Sequence, residues 1–159
     1  MTRIGLGYDV HVLAEGHEFW LGGIRIEHSK GAIAHSDGDA LIHAICDALL
    51  GAAALRDIGY HFPDNDPLLK GIDSKILLKK TEELVSNAGY SICNIDSVIC
   101  LQQPKIKDYI PKMQETLEAI LNLPKGSISV KATTTENLGF VGREEGVSAQ
   151  AIVLLTSAK

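Results

Sequence analysis

The sequence predicts one domain over residues 1–159, with a small mixed β-sheet and helices on one of its faces. Two observations support this fold prediction. Runs of apolar residues change along the chain between the two-residue period of strands and the 3.6-residue period of helices. The chain has 159 residues, 45% of them apolar and 22% charged, which suits a single globular core. No internal repeat or linker interrupts the sequence.

The first half of the chain is predicted to contain a strand, a hairpin and a central helix. Residues 3–10 alternate apolar and small residues as a strand does, and two glycines there indicate either a close backbone approach or a nearby ligand. A Gly-Gly turn between two short apolar runs predicts a β-hairpin over residues 19–26. A helix rich in small residues follows over residues 40–55, with Ser36 as its N-cap, and residues 62–67 are a loop rich in proline and acidic residues.

The second half is predicted to alternate helices and strands. The last strand has apolar residues in both of its alternating sets, so both of its faces are expected to be buried. Self-association through the sheet would cover the second face, and burial inside a single chain would do the same. The predicted elements are helix 74–88, strand 90–101, helix 108–123, strand 127–135, a turn or short helix at 136–140, and strand 147–156.

Composition argues against several classes of function. The net charge is −5 and aromatic residues make up 5% of the chain, which disfavours a nucleic-acid partner. Because no apolar run is long enough for a membrane span or a signal peptide, we expect a soluble, cytoplasmic protein, or one in a plastid-type organelle if a transit peptide has been removed. Cys46, Cys93 and Cys100 form no paired framework and are expected to be reduced thiols in the core.

The main chemical signal is a set of three residues of the types that bind metal ions. Asp9 and His11 lie two apart on the first strand, so their side chains point to the same side. His43 lies on the central helix, four residues after Asp39 and four before Asp47, and these acids would support it as a ligand. Two histidines and one carboxylate suit a catalytic zinc site with its fourth position open, although other divalent metals fit the same residues. A polar helix edge and a chance Asp-x-His pair would give the same pattern.

Three further segments carry polar groups that suit a phosphate-bearing ligand. The threonines at 133–135 and the carboxylate of Glu136 suit phosphate oxygens and a hard cation such as Mg²⁺, although threonines are also ordinary at a strand end. The loop 102–107 would contact a base edge and phosphates through its backbone and two lysines, or be a solvated loop. Arg143 lies in a glycine-flanked turn and is either an anion clamp or a surface charge. Since the sequence has no nucleophile elbow, P-loop, dinucleotide fingerprint or Cys-x-x-Cys pair, the chemistry indicated is metal-assisted.

Three segments together match the pattern of a known family. They are DVH at 9–11, AHSDGDALIHAICDALLGAAALRDIGYHFPD at 34–64 and KATTTENLGFVGREEG at 131–146. With them the chain resembles the 2-C-methyl-D-erythritol 2,4-cyclodiphosphate synthase family from its N-terminus to its last strand. The resemblance implies an α+β subunit, a homotrimer whose sheets pack together, and three active sites between subunits. It also implies a lyase of the non-mevalonate isoprenoid pathway with a small-molecule substrate and no nucleic-acid or membrane partner.

The reaction implied by the resemblance is the cyclisation of 4-diphosphocytidyl-2-C-methyl-D-erythritol 2-phosphate to 2-C-methyl-D-erythritol 2,4-cyclodiphosphate, with release of CMP. The 2-phosphate would attack the β-phosphate in line, and because it is already ionised no protein base is needed. Two cations would offset the charge of the polyanion. A zinc hydrolase would use the same ligand set. A trimeric binding module for an isoprenoid diphosphate is the alternative from another class, although a structural zinc site usually has four protein ligands.

The resemblance also implies a role for each candidate residue. Metal ions would be bound by Asp9, His11 and His43, which would hold zinc, and by Glu136, which would hold a second ion, Mg²⁺ or Mn²⁺. The transferring phosphoryl group would be positioned or stabilised by His35 and Thr134. Contacts to the diphosphate and methylerythritol parts would come from Asp9, Val10, His11, His35, Ser36, Asp57, Ile58, Gly59, Phe62, Pro63, Asp64, Asn65 and Asp66. The cytidine pocket and the remaining contacts would come from Leu101, Gln102, Gln103, Pro104, Lys105, Ile106, Lys107, Ala132, Thr133, Thr134, Thr135, Glu136, Phe140 and Arg143.

A hydrophobic channel along the trimer axis is a further implication of the resemblance. It would hold an isoprenoid diphosphate near Phe140, Arg143 and Glu145. Glu144 stands where a small residue is expected in the family. An extra carboxylate beside Arg143 is expected to weaken the capture of an anion there.

Overall fold

The computed structural model describes residues 1–157, which form a five-stranded sheet, a separate β-hairpin and five α-helices. The strands are β1 (Thr2–Glu15), β2 (Phe19–Leu21), β3 (Ile24–Ile26), β4 (Lys30–Ile33), β5 (Tyr90–Cys100), β6 (Ile128–Thr133) and β7 (Gly146–Ser157). The helices are α1 (Ala40–Ala52), α2 (Ile58–His61), α3 (Ser74–Asn87), α4 (Ile110–Ile120) and α5 (Gly139–Gly142). No helix of this described part is long and apolar enough to cross a bilayer.

The sheet is mixed, with strand order β4-β1-β7-β5-β6. Neighbouring strands run antiparallel except β5 and β6, which are parallel and are joined by the crossover that contains α4. Strands β2 and β3 form the predicted hairpin, whose turn residues Gly22 and Gly23 both have positive φ, as a type I′ turn requires. The predicted α+β class is confirmed, with most element boundaries within a few residues of prediction.

The start of the central helix differs from the prediction. Helix α1 begins at Ala40 and its N-cap is Asp39, whose Oδ1 accepts a hydrogen bond from the Ile42 N–H at 3.0 Å. Ser36 is therefore not the cap. The Asp39 carboxylate also accepts hydrogen bonds from the backbone N–H groups of Gly22 at 2.9 Å and Gly23 at 2.7 Å. This buried carboxylate ties the hairpin turn to the helix start, a tertiary contact that selects the cap.

Helix α1 lies directly against β1 because two glycines remove the side chains that would separate them. A Cβ atom at Gly5 would overlap the carbonyl oxygen of Ala48, and one at Gly7 would overlap that of Ala44. The close backbone approach expected from these glycines is confirmed. Small residues on the facing side of α1 complete the contact, so the helix is held at one position along the strand. This seating fixes where His43 stands relative to the strand.

The core lies between the sheet and the helices. Helix α1 is apolar on almost its whole circumference and is nearly all buried, because β1 and β7 pack on one side of it and α3 on another. Strand β7 contributes the inward-facing side chains Ala149, Ala151, Val153 and Leu155, all buried. A central helix covered on most of its surface gives the rigid base from which site residues project.

The other face of the sheet, which we call the open face, is apolar but uncovered within one chain. Ile4 is 73% exposed, Leu6 66% and Ile152 51%. The alternative that one chain buries both faces of β7 is therefore wrong, since Ile152 of its outward set is exposed, and cover by self-association stays a prediction. The large apolar side chains of the open face are Ile4, Leu6, Tyr8, Val10, Val12, Ile33 and Ile152. Exposed apolar surface of this extent on a sheet marks an association site.

The three cysteines are free thiols in different surroundings. Cys46 is buried in α1, and burial raises the pKa of its thiol to about 12. Cys100 is half-buried, and Cys93 is exposed beside a register irregularity of β5 between Ile92 and Asn94. The expectation of three core cysteines is thus wrong for Cys93, because the irregularity changes which residues of β5 face inward.

Candidate active site

Three potential metal ligands converge where α1 crosses β1. His11 Nε2 lies 2.8 Å from Asp9 Oδ2 and 3.1 Å from His43 Nδ1, and His43 Nδ1 lies 3.4 Å from Asp9 Oδ2. Asp9 and His11 project from the same side of β1, and His43 comes from the helix seated above it. We call these three residues the metal cluster. The sequence predicted these three residues as one ligand set, and the structure brings them together.

The spacing and chemistry of the metal cluster fit a small divalent cation. Tetrahedral coordination with bonds of about 2.0–2.2 Å to imidazole nitrogen and carboxylate oxygen places neighbouring ligand atoms about 3.3–3.5 Å apart. The three atom pairs lie at this separation or slightly closer. Asp9 Oδ2 is buried and accepts no well-aligned hydrogen bond, although both imidazole nitrogens are near. An unsatisfied carboxylate oxygen facing two nitrogen lone pairs is the arrangement that a cation completes.

Burial and the neighbouring groups act in opposite directions on the titration of this cluster. Burial alone would raise the pKa of Asp9, but the close imidazoles of His11 and His43 favour the charged carboxylate, outweigh burial and hold that pKa below its usual value. Burial alone would lower the pKa of His43, but the contact with Asp9 outweighs it and raises that pKa. The carboxylate therefore stays ionised and attracts positive charge, whether a proton or a metal ion.

The outer nitrogen of His43 has partners that the sequence did not predict. Its Nε2 lies 2.9 Å from Ser74 Oγ and 3.2 Å from Ser36 Oγ. The predicted supporting acids act elsewhere: Asp39 caps α1, and Asp47 Oδ1 accepts a hydrogen bond from the Ile58 N–H at 3.1 Å. Helical spacing found the correct face but not the correct partners, because Ser74 lies on α3 and its approach is a tertiary contact.

A cavity of about 580 Å³ opens above the metal cluster. Its lining brings together most of the residues predicted to contact the diphosphate and methylerythritol parts. Those predicted residues are Asp9, His11, His35, Ser36, Ile58, Gly59, Phe62, Pro63, Asp64 and Asn65, and the lining also includes His43, which was predicted as a zinc ligand. Its apolar wall also includes residues that sequence reasoning missed, which are Ala34, Leu69, Ile72 and Leu77. Their only signal was hydrophobicity, which does not distinguish a cavity wall from core.

Three predicted residues are not in the lining of this cavity. Val10 alternates along β1 with the two residues that this strand gives to the metal cluster, so its side chain points to the open face and not to the cavity. Asp57 and Asp66 stand at the edge of the cavity. Asp57 is the N-cap residue of α2. Asp66 presents its backbone carbonyl to His35, whose Nε2 lies 2.9 Å from that oxygen. His35 is thereby joined to the loop that follows α2. The loop and the strand-to-helix segment that carries His35 form opposite walls of one opening.

Phe140 lies beside Gly146 at the start of β7, near His11. Apart from Phe140 and Arg143, the remaining predicted residues gather at the C-terminal ends of the parallel strands β5 and β6. Leu101 donates its backbone N–H to the Thr133 carbonyl at 2.9 Å, and Asn137 donates its N–H to Gln102 Oε1 at 3.3 Å. The segments 101–107 and 132–136 therefore lie side by side, and we call them together the threonine edge. Glu136 is exposed and has φ of 54°, a left-handed conformation that turns the chain sharply after β6.

One chain does not bring the threonine edge to its own metal cluster. Strands β7 and β5 separate β1 from β6, which puts the two groups about 14 Å apart at the usual spacing of strands. The residues around the metal cluster are enclosed, whereas Glu136 faces outward. The predicted site residues thus form two groups. One lies around the metal cluster on the helix side of β1, and the other lies at the edge of the sheet formed by β6.

Arg143 is already paired within the chain. Its Nε donates to Glu145 Oε1 at 2.8 Å and a terminal nitrogen donates to Oε2 at 3.2 Å, and this guanidinium lowers the pKa of Glu145. Glu144 has φ of 57°, which explains why a small residue such as glycine is expected at that position. The carboxylate that occupies Arg143 is therefore that of Glu145 and not, as expected from the sequence, that of Glu144.

The chain matches the model of the YgbB family over residues 2–156. It belongs to that family. Among its relatives, the 2-C-methyl-D-erythritol 2,4-cyclodiphosphate synthase of Bacteroides thetaiotaomicron is 62% identical over 153 residues, covering 96% of each chain. The predicted family and the enzyme class that goes with it are confirmed.

Solved structures of the family have the same fold. The bifunctional IspDF from Campylobacter jejuni matches with a TM-score of 0.95 and 43% identity over 99% of this chain, which spans 42% of that longer protein. A CDP-bound form of 2C-methyl-D-erythritol-2,4-cyclodiphosphate synthase matches with a TM-score of 0.89 and 39% identity, covering 97% of this chain and 100% of the other. The YgbB-family fold therefore accounts for both the metal cluster's scaffold and the strand order described above.

Proposed function

We propose that this chain converts 4-diphosphocytidyl-2-C-methyl-D-erythritol 2-phosphate into 2-C-methyl-D-erythritol 2,4-cyclodiphosphate and CMP, acting as a single cyclodiphosphate synthase domain over residues 1–159. The observation that carries the proposal is the convergence of Asp9, His11 and His43 beneath a cavity in a chain of this family. The relative that is solved with CDP supports a cytidine diphosphate part in the substrate.

Two metal ions have natural positions in this proposal. The metal cluster would hold zinc, or another divalent transition metal, through two nitrogens and one oxygen, which leaves a fourth coordination position for the substrate. Glu136 would bind Mg²⁺ or Mn²⁺ together with substrate phosphates, since such ions take one or two carboxylates and fill the rest with phosphate and water. When bound, these ions polarise phosphoryl oxygens and neutralise charge.

The reaction needs positioning and charge neutralisation more than proton transfer. An oxygen of the 2-phosphate forms a bond to the β-phosphorus, and the bond from that phosphorus to the bridging oxygen breaks, so CMP leaves with the bridging oxygen. The attacking oxygen is ionised at neutral pH, so no protein base is required. His35 and Thr134 would hold the transferring phosphoryl group, and Ser36 would contact the diphosphate. Ile72 and Leu77 contribute apolar surface to one wall of the cavity.

We further propose a homotrimer in which each active site combines the metal cluster of one copy with the threonine edge of the next. Two observations support this: the apolar open face lacks cover in one chain, and the two groups of site residues lie far apart within it. Covering an apolar side chain fully contributes about 1.5–3 kcal/mol, so the open face could stabilise an assembly strongly. Sedimentation equilibrium should give three times the mass of the chain, and a monomer mass would contradict the proposal.

The proposed environment is cytoplasmic, as the three free thiols suggest. An isoprenoid diphosphate in the axial channel would have to compete with Glu145 for Arg143, because that carboxylate already binds the guanidinium at two points. We therefore propose that any such ligand binds weakly in this chain.

Product analysis tests the proposed reaction against its two alternatives. The purified protein with Zn²⁺ and Mg²⁺ should release CMP and the cyclic diphosphate in equal amounts, with no inorganic phosphate. Release of inorganic phosphate without the cyclic product would indicate a zinc hydrolase instead. Tight binding of the substrate with no CMP released would indicate a binding module.

A further inference from the structure

Two further polar residues, Ser74 and Asp37, form a series of hydrogen bonds that extends from His43 away from the metal cluster. Ser74 is fully buried at the first position of α3, and its Oγ lies 2.9 Å from His43 Nε2. The Ser74 hydroxyl donates a hydrogen bond to Asp37 Oδ1, and the Ser74 backbone N–H donates to Asp37 Oδ2 at 2.8 Å. The Asp37 carboxylate thus accepts two hydrogen bonds from Ser74, and the Ser74 hydroxyl oxygen faces the His43 imidazole.

The direction of these hydrogen bonds is fixed by the carboxylate. The Ser74 hydroxyl donates to Asp37 Oδ1, so its single proton is used toward the carboxylate. The Ser74 oxygen then presents a lone pair to His43 Nε2, which must carry the proton to make a hydrogen bond. With the proton on Nε2, the lone pair of Nδ1 is free and points toward Asp9 and His11. This is the tautomer that a metal ligand needs.

Ser74 is not needed to cap the start of α3, because the preceding residue caps it. The N-cap of α3 is Asp73, whose side chain accepts from the Lys75 N–H at 2.9 Å. The helix start therefore does not depend on the Ser74 hydroxyl. Ser36 Oγ also approaches His43 Nε2 at 3.2 Å, but it is less buried and accepts from the Gly38 N–H as well.

We propose that Ser74 and Asp37 are positioning residues that fix the tautomer and orientation of His43 as a metal ligand. The inference rests on the proposed function, in which His43 binds zinc. Groups that hydrogen-bond to the outer nitrogen of a ligating histidine typically change metal affinity by about 10–100-fold when they are removed. Asp37 acts through Ser74 and makes no contact with the metal cluster itself.

Zinc affinity measured by competition with a chelator, at constant pH and without substrate, tests the proposal. Ser74→Ala should bind zinc about 10–100-fold more weakly than the wild-type protein. The matched control is Ser97→Ala, which removes another buried hydroxyl, one that donates to the Ser129 carbonyl at 2.8 Å far from the site. The control should bind zinc as the wild-type protein does. Equal affinities for all three proteins would overturn the proposal.

A double-mutant cycle separates the proposed route through Ser74 from a general disturbance. Asp37→Asn should weaken zinc binding by itself, because the amide can donate to the serine oxygen and reverse the hydrogen bond to His43. In the Ser74→Ala background the same change should have little further effect. Ser74→Thr, which keeps the hydroxyl, should bind zinc more tightly than Ser74→Ala. Full additivity of the two changes, or no recovery in a folded Ser74→Thr variant, would contradict the positioning role.

The same measurements distinguish a failure of this inference from a failure of the proposed function. A wild-type protein that binds no zinc would contradict the metal site, and the positioning role with it. A wild-type protein that binds zinc tightly, together with an unaffected Ser74→Ala variant, would overturn the positioning role and leave the proposed function standing.

Discussion

The metal cluster and the threonine edge differ in how the fold holds them. The cluster lies where α1 is pressed against β1, and its histidine is hydrogen-bonded from behind by side chains of two other segments. The threonine edge lies at the end of β6, where Thr134 is half-buried and Glu136 is exposed. One region is arranged by packing within a single chain, whereas the other presents its polar groups outward.

This difference indicates which half of the site is complete before assembly. Dense packing fixes the ligand atoms of the metal cluster to within a fraction of an ångström of tetrahedral spacing. The threonine edge has its backbone fixed by pairing with β5, but nothing in residues 1–157 of the same chain stands opposite Glu136 to form a pocket. A second copy would supply the missing wall. Substitutions in one region should therefore impair its function and leave the other region intact.

The largest expected effect comes from the helix–strand contact beneath the metal cluster. Gly7→Ala would place a methyl group on the Ala44 carbonyl, so α1 must move away from β1. We expect a loss of about 3 kcal/mol in the free energy of unfolding measured with denaturant, together with loss of zinc binding. The matched control is Gly51→Ala on the exposed side of α1, where a methyl group meets nothing. The control should gain about 0.5–1 kcal/mol, and a Gly7→Ala protein as stable as wild type would contradict the packing argument.

Removing a ligand should affect the metal cluster without unfolding the chain. His43→Ala should lose zinc because a direct ligand is absent. Its zinc affinity should fall by more than the roughly 100-fold that follows from removing a residue that only hydrogen-bonds to a ligand. Elemental analysis after dialysis measures the zinc bound per chain. His17→Ala, an exposed histidine outside the metal cluster, should retain it. Full zinc content in the His43→Ala protein would remove this residue from the ligand set.

A smaller and more selective effect is expected at the threonine edge. Glu136→Ala should raise the Mg²⁺ concentration needed for half-maximal activity by about tenfold, the value of one charge-assisted contact near 1.4 kcal/mol, while zinc stays bound. Activity measured across a range of Mg²⁺ concentrations tests this. Glu83→Ala, an exposed acid on α3, is the matched control and should behave as wild type. An unaltered Mg²⁺ dependence would show that Glu136 does not hold the second ion.

Much of this arrangement could be predicted because its signals are local in sequence. The Gly-Gly hairpin turn, the two glycines of β1 and the Asp9–His11 pair each depend on residues a few positions apart, and each lies where expected. Asp39 was missed as the N-cap because its choice over Ser36 depends on the distant turn at Gly22 and Gly23. Ser74 was missed for the same reason, since its partner His43 lies 31 residues away.

The open face shows a different limit of sequence reasoning. Apolar residues in both alternating sets of β7 indicate that both faces of the sheet avoid water, yet in the single chain Ile152 of the outward set is 51% exposed. The pattern cannot distinguish a face covered by the chain's own helices from one that a second copy would cover. In the described part of the chain, only the helix side is covered.

Complementation between two impaired variants tests the shared site most directly. His43→Ala lacks a metal ligand and should be inactive, and Glu136→Ala, with its roughly tenfold higher Mg²⁺ requirement, should keep about a tenth of wild-type activity at a limiting Mg²⁺ concentration. When the two are refolded together in equal amounts, each mixed trimer has one interface that joins two intact halves, and random assembly predicts about a quarter of wild-type activity. Activity that stays at the level of the separate variants would contradict a site built from two copies of the chain.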